Sequence, residues 1–253
     1  MKKVFYFAAA MLLTMGMVAC DPTEDDNNNG NNTNDSTPTN PTIPTTPTEG
    51  EWIDMGLESG VDLLWRSCNL GAESPEQYGN YYAWGETQPK EVYGWSTYAW
   101  GSNYDALTKY CDNSEYGLYG YTDELDILEP ADDAASVALG GDARMPSYAD
   151  WNSLLSGTRV EWTTVNGVNG CMFISKTNGN CIFLPAMGYL SDEGGEPGVH
   201  RDSVWGFYWA SVLVGHDCAG AYDIEFGSGI HNTYAFTRCY GLPIRAVRPA
   251  GKK

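Results

Sequence analysis

Residues 144–155 read RMPSYADWNSLL and carry the clearest structural signal in the chain. Ser147 is followed three residues later by Asp150, an acidic variant of the capping box that satisfies free backbone N–H groups at a helix start. Trp151 and the two leucines after it fall on one face if the segment is helical. We therefore predict a short helix that begins after Ser147 and buries Trp151.

Runs typical of short β-strands lie on both sides of this helix. Residues 52–57 and 61–65 predict one hairpin, and Asn178–Gly179, a dipeptide typical of type I′ turns, predicts another. A second short helix is expected at residues 131–139. Later strands are expected at residues 207–211, 221–226, 233–239 and 244–247. The pattern predicts an α+β fold of mostly short antiparallel strands with one or two short helices.

The composition supports this fold class and excludes one class of partner. The 253 residues include 14 basic and 33 acidic side chains, a formal charge of −19, so the chain would repel nucleic acid. Nine Trp, 17 Tyr and 29 Gly, with only 19% charged residues, favour aromatic, turn-rich β structure. Residues 51–253 are long enough to bury a core of their own, and we predict one domain there.

The amino terminus predicts export and a lipid anchor. Residues 1–19 have the layout of a secretory signal peptide, with Lys2 and Lys3 before an apolar run too short for a spanning helix. The sequence Met-Val-Ala-Cys ending at Cys20 resembles a bacterial lipobox, which implies lipidation of Cys20. A plain signal peptide that leaves this cysteine free is the alternative.

Residues 20–50 are rich in Asn, Thr, Pro and acidic residues and hold one large apolar side chain, Ile43. Such a segment cannot bury enough surface to fold, so we predict a disordered acidic tether. Together with the anchor, it predicts a protein on the outer membrane of a Gram-negative bacterium, exposed at the cell surface. A lipid anchor would be its only contact with the membrane.

Six further cysteines follow, at positions 68, 111, 171, 181, 218 and 239. An even number in an exported chain permits three disulfides, and we predict at least one long-range bridge. A two-residue turn at Asn178–Gly179 would place Cys181 opposite Lys176 and Cys171 opposite Ala186. The two thiols would then point to opposite faces, which disfavours a bridge between them.

Six sequence blocks follow one another in order along residues 51–249. They are WRSCNLGA at 65–72, YGNYYAWGET at 78–87, RMPS with its tryptophan at 144–151, FLPAMGY at 183–189, YWAS at 208–211 and RCYGLPIRAVRP at 238–249. The series resembles the Fibrobacter succinogenes major paralogous domain family, which is related to the Legionella collagen-like protein C-terminal domain and occurs on bacterial surface lipoproteins. The resemblance implies a C-type-lectin-like fold.

A more distant likeness links RMPSYADW to formylglycine-generating enzymes. In structural terms this segment anchors the helix, and Arg144 is expected to pair with a buried carboxylate or with backbone carbonyls.

The chain has three histidines and none of the common hydrolase, P-loop or Rossmann motifs, so we predict no enzymatic activity. A related oxidoreductase that uses Cys218 and Cys239 is one alternative, and a structural subunit of a surface assembly is another.

Calcium is the metal that this resemblance suggests. Sugar-binding C-type lectins hold Ca²⁺ with Glu-Pro-Asn or Gln-Pro-Asp and Trp-Asn-Asp segments, whereas this chain has Glu196-Pro197-Gly198 and no Trp-Asn-Asp. Asp223 and Glu225 alternate in an expected strand and could supply two oxygens. A solvated strand face is the simpler interpretation of that pair, so we expect no metal and no other cofactor.

Residues 191–205, SDEGGEPGVHRDSVW, predict a long structureless loop of the kind that often binds ligands. Aromatic rings beside carboxylates suit sugars, whose C–H faces stack on rings while acids accept hydroxyl protons. Trp209 is expected in the core. The candidate ligand-binding residues are Asp192, Glu193, Glu196, His200, Arg201, Asp202 and Trp205. We predict a non-catalytic domain that binds a glycan or a host or surface protein in adhesion or nutrient capture.

Overall fold

The computed structural model describes residues 50–57, 62–192 and 198–251, which all belong to the compact unit that runs from Thr39 to Lys253. The predicted signal peptide, most of the predicted tether and Cys20 lie outside the described residues, as do Glu193 and Glu196 of the candidate loop. No helix within the described ranges is long and apolar enough to cross a membrane.

Two short α-helices, two 3-10 helices and eleven short strands make up the regular structure of the described residues. The α-helices are α1 (Ala134–Leu139) and α2 (Tyr148–Gly157), and the 3-10 helices are Trp95–Thr97 and Leu118–Gly120. The strands before the candidate loop are β1 (Trp52–Asp54), β2 (Leu63–Arg66), β3 (Thr158–Val165), β4 (Val168–Ser175) and β5 (Cys181–Pro185). Those that follow are β6 (Tyr189–Ser191), β7 (Gly198–His200), β8 (Gly206–Val214), β9 (Asp217–Gly227), β10 (Ile230–Thr237) and β11 (Val247–Pro249).

The strands form four small sheets, in the orders β1-β2-β11, β10-β9-β8, β3-β4-β5 and β6-β7. All pairings within them are antiparallel. The described chain is therefore an α+β fold of mostly short antiparallel strands with few helices, as its sequence predicts. The last strand pairs with the second, which brings the two ends of the described region into one sheet.

The start of α2 has the interactions that its sequence predicts. Ser147 Oγ accepts the backbone N–H of Asp150 at 3.2 Å, and Asp150 Oδ2 accepts that of Ser147 at 2.7 Å. Arg144 Nη1 lies 2.7 Å from the same carboxylate oxygen and donates to the carbonyl of Met145. Trp151 is fully buried. The capping box, the role of Arg144 and the burial of Trp151 are confirmed.

The hairpin between β4 and β5 forms, but its predicted turn is wrong. A type I′ turn needs positive φ at both central residues, and Gly179 has φ +77° whereas Asn178 is not among the residues with positive φ. Asn178 instead donates to the distant carbonyl of Asp54 at 2.9 Å. The longer turn places Cys181 opposite Ile174 and Cys171 opposite Leu184. This register still sends the two thiols to opposite faces, into different clusters.

Two other expectations about the later chain need correction. Residues 244–247 are not a strand, because only Val247 of that run belongs to β11. The segment 191–205 is not structureless, since β6 and β7 pair across it with Ser191 opposite Gly198. In the first case, the carbonyls of Ile244 and Ala246 accept single hydrogen bonds from Leu70 and Arg66, which are distant in sequence. In the second case, the strands are short and their composition is typical of a loop.

The sheet β10-β9-β8 separates two hydrophobic clusters. On one face, Phe207 and Trp209 pack with residues from the first half of the described chain. On the other face, Tyr208 and Phe226 pack against α2 and the β3-β4-β5 sheet. Trp209 is completely buried and its Nε1 donates to the carbonyl of Tyr82 at 2.8 Å, which confirms its expected core position.

Two buried arginines near the carboxyl terminus join distant segments. Arg238 donates to the carbonyls of Lys109, Tyr110 and Cys218 at 2.8–2.9 Å. Arg245 donates to Asn69 Oδ1 and to the carbonyls of Ser67 and Phe183. Both guanidinium groups are fully buried, and their donors are matched to backbone, amide and tyrosine hydroxyl oxygens rather than to carboxylates.

The six described cysteines are free thiols, and all of them are buried. None of the six is in a disulfide bond in the described residues, and the long-range disulfide that the sequence predicts stays a prediction.

Candidate functional site

An open pocket of about 270 Å³ lies over one face of the β10-β9-β8 sheet. Its lining consists of Tyr189, Arg201, Trp205, Phe207, Glu225 and Phe236. Small-molecule sites usually measure about 300–1,000 Å³, so this pocket suits one sugar ring or one side chain. A larger hollow of about 490 Å³ beside β3 holds no Trp, Tyr or Phe in its lining.

Three strands position the apolar part of the pocket. Phe207 of β8 lies directly opposite Glu225 of β9, so the two side chains share one face of the sheet. Phe236 of β10 packs 5.1 Å from the Phe207 ring. Tyr189, the first residue of β6, contacts both rings, at 5.3 Å and 4.7 Å between centroids. These separations are those of favourable aromatic pairs, so the rings form a mutually supported wall.

A backbone turn presents Arg201 and Trp205 to this wall. The Trp205 N–H donates to the carbonyl of Arg201 at 3.0 Å, and Gly188 N–H donates to that of Trp205 at 2.8 Å. Arg201 and Ser203 both have positive φ, of 59° and 60°. Gly188 has φ +63°, and a Cβ there would collide with the backbone of residues 200–202. The turn is therefore fixed closely against the chain that leads into β6.

The pocket contains an ionisable group with an altered affinity for protons. Burial raises the pKa of Glu225 to about 7, and the nearby positive charge of Arg201 opposes that shift. Glu225 thus changes charge near neutral pH, unlike an ordinary glutamate.

Asp223 lies behind Glu225 on the same strand face, directly opposite Trp209. Its side chain is fully buried, and neither carboxylate oxygen has a hydrogen-bond partner. Burial, followed by the neighbouring Glu225, raises the pKa of Asp223 well above its usual range. Unsatisfied buried groups of this kind are rare in folded proteins and concentrate at functional sites.

These two acids form no metal site by themselves. Within the part of the chain that the structure describes, no group of three or more His, Cys, Asp or Glu side chains lies together in a way that could hold an ion. Calcium takes six to eight oxygen ligands, and the pair supplies too few of them.

The structure brings together part of the predicted ligand-binding set. Arg201 and Trp205 line the pocket, and His200 stacks on Tyr189 with ring centroids 5.1 Å apart. Asp202 is exposed and outside the lining. Asp192 also lies elsewhere, because its N–H donates to the carbonyl of Tyr93 and its carboxylate sits over Gly94.

Three aromatic members of the pocket were not predicted as ligand contacts, namely Tyr189, Phe207 and Phe236. A signal for one of them, Phe207, exists in the alternation of side chains along its strand. Phe207 shares a face with Trp209, as Glu225 does with Asp223, but only strand pairing shows that these faces meet. The pairing is not encoded in any single segment.

The thiols of the alternative oxidoreductase site are not a reactive pair in this structure. Cys218 packs with Cys111 and Leu107, whereas Cys239 packs with Tyr93 and Tyr98. Burial is the first cause that raises the pKa of each thiol, Cys218 and Cys239, to about 12. A thiolate at either position is therefore disfavoured at neutral pH.

Comparison of the chain with protein-family models, curated proteins and solved structures found no match. The resemblance to the Fibrobacter-type family therefore stays a prediction.

Proposed function

We propose that this chain is a non-catalytic binding protein whose pocket beside Trp205 takes a glycan, either free or carried on a host or surface protein. The observation that carries the proposal is the combination of aromatic wall, Glu225 and Arg201 around one opening. Sugar C–H faces stack on such rings, and hydroxyl groups bond to charged side chains at the rim.

The size of the pocket favours recognition of a single sugar unit. At about 270 Å³ it suits one ring, with the remainder of a longer glycan outside. Trp205 is half-buried at the edge, where a flat ring can be covered by a ligand without leaving the fold. Adhesion or nutrient capture would follow from many weak contacts of this kind on one cell.

A C-type-lectin-like domain on a surface lipoprotein is the setting that we propose for this pocket. The six ordered sequence blocks, the lipobox ending at Cys20 and the acidic tether support it. The α+β arrangement of short antiparallel strands is compatible with that fold. The burial of Cys218 and Cys239 weighs against the alternative oxidoreductase.

The test is binding of the full chain to an array of bacterial, plant and mucin glycans, followed by titration with the best glycan. We expect Trp205→Ala to weaken binding by on the order of tenfold or more, because truncation of a central aromatic contact commonly costs over 1 kcal/mol. Glu225→Gln should weaken it as well, and should reduce any change in affinity between pH 6 and 8.

Two variants serve as controls. Trp162→Ala removes another half-buried tryptophan, on β3 and outside the pocket lining, and Asp202→Ala removes an exposed acid of the candidate loop. Both should bind as the unaltered chain does. Absence of any glycan binding by the unaltered chain, or equal losses in pocket and control variants, would overturn the proposal.

A further inference from the structure

The segment between Tyr98 and Leu128 has little regular structure. It contains one short 3-10 helix, Leu118–Gly120, and isolated bridges such as Gly101 with Leu107. A segment of this kind depends on side-chain attachments to the rest of the fold, since it lacks the continuous hydrogen-bonded ladder of a sheet.

One attachment is a pair of cysteines that are 107 positions apart in sequence. Cys111 and Cys218 are both fully buried and belong to the same small cluster, together with Leu107. The Cys111 thiol donates to the carbonyl of Asn113 at 3.1 Å, and its closeness to Cys218 adds to the effect of burial in raising the pKa of the Cys218 thiol. Cys111 belongs to the irregular segment, and Cys218 is the second residue of β9.

The surrounding polar contacts hold the same two stretches of chain together. Asp112 accepts from the Cys218 thiol at 3.2 Å and lies 3.0 Å from Nδ1 of His216. Asn113 Nδ2 donates to the carbonyl of His216 at 3.3 Å. A single nitrogen of Arg238, Nη1, donates both to the carbonyl next to Cys111, that of Tyr110, and to the carbonyl of Cys218. The backbones on both sides of the thiols are thus fixed near each other.

We propose that Cys111 and Cys218 are oxidised to a disulfide, which fastens the irregular segment to the turn between β8 and β9. The oxidant is a protein thiol oxidase with a reactive disulfide, or glutathione disulfide in vitro. One thiolate attacks that disulfide and forms a mixed disulfide, and the second thiolate then displaces the oxidant. The cysteine pair loses two electrons and two protons, and the oxidant leaves in its reduced form, a dithiol in the case of the oxidase or two molecules of reduced glutathione.

The reaction belongs to folding rather than to the finished protein. Both sulfurs are inaccessible in the folded chain, and burial raises the pKa of Cys218 to about 12, so few thiolates form there. Oxidation therefore precedes complete burial, and the closed bond is afterwards shielded from reductants. The other cysteines have different surroundings: Cys68, for example, donates to the carbonyl of Ala72 at 3.1 Å.

The sequence makes the test direct, because trypsin places each of the seven cysteines on a separate peptide. The full chain is unfolded, reduced and refolded in a mixture of reduced and oxidised glutathione, alkylated and digested. Non-reducing mass spectrometry should show peptide 110–144 joined to peptide 202–238. Oxidant added only after refolding in reductant should join them at least tenfold more slowly.

Variants separate the bond from a general effect of cysteine loss. The double variant C111A/C218A should lose the joined peptides, and Cys171→Ala, which alters another buried thiol, should keep them. Adding reductant during refolding should lower the Tm of the unaltered chain by on the order of 5–15 °C but leave that of the double variant unchanged. Cys111 and Cys218 both alkylated after oxidative refolding, or either of them joined to another peptide, would overturn the proposal.

Discussion

Asp223 is the most costly side chain of the described fold. Both of its oxygens are buried without partners, between Trp209 on β8 and Tyr234 on β10. Keeping the proton is the least expensive state for such a carboxyl, because an isolated buried charge costs far more than a neutral group. Asp223 lies beside the pocket lined by Glu225, and its burial there lowers the stability of the fold.

The consequence is a stability that falls with rising pH. A carboxyl whose folded-state pKa is raised holds its proton in the folded chain after the unfolded chain has lost it. The stability that Asp223 contributes is therefore fully present below about pH 4 and is lost as the pH rises through its folded-state pKa. Glu225 adds a similar loss between about pH 4.5 and its pKa of about 7.

Asp223→Asn should reduce this dependence, because the amide cannot ionise. We expect the free energy of unfolding of the variant to fall less steeply between pH 5 and 8, by up to about 1.4 kcal/mol per pH unit. Urea unfolding at several pH values measures the slope. Asp217→Asn, which alters an exposed acid of the same strand, should leave the slope unchanged. Identical slopes for all three proteins would mean that Asp223 is ionised in the folded chain.

Among the elements, α2 is the one whose start depends on a few identified hydrogen bonds. Ser147→Ala removes the acceptor for the Asp150 N–H and should lower the free energy of unfolding by about 1 kcal/mol. Ser156→Ala changes an exposed serine near the end of the same helix and should cost much less. Chemical unfolding of both variants makes the comparison, and equal losses would contradict the role of the cap.

The same helix shows which elements a sequence can predict. Its capping box, Arg144 and Trp151 lie within eight residues of one another, so local chemistry determines the helix start. The turn at Asn178 depends on the carbonyl of Asp54, which is 124 positions away, and no local pattern contains that bond. The pocket is less predictable still, because Tyr189, Phe207 and Phe236 meet only through the pairing of separate strands. Arg201 and Trp205 are predictable because they lie four positions apart in a single loop segment.

For the whole molecule, the lipid anchor is the prediction that decides where the pocket can act. If Cys20 is lipidated, the full chain produced in a Gram-negative host should enter the membrane fraction and dissolve only in detergent. Cys20→Ala should move it to the soluble fraction, and Ser36→Ala, in the same amino-terminal segment, should not. Protease added to intact cells should then digest the anchored domain. Cys20→Ala protein that stays in the membranes would contradict the anchor.

Arg238 and Arg245 give the molecule a particular order of assembly. A chain emerges amino terminus first, and α2 with the β3-β4-β5 sheet can form early because their contacts are local. Arg245 bonds to Asn69, 176 positions earlier, and β11 pairs with β2. The core therefore cannot close until Arg245 and β11 have been synthesised. Until then the elements that form early lack part of their covering, so the growing polypeptide exposes apolar surface that the folded chain buries.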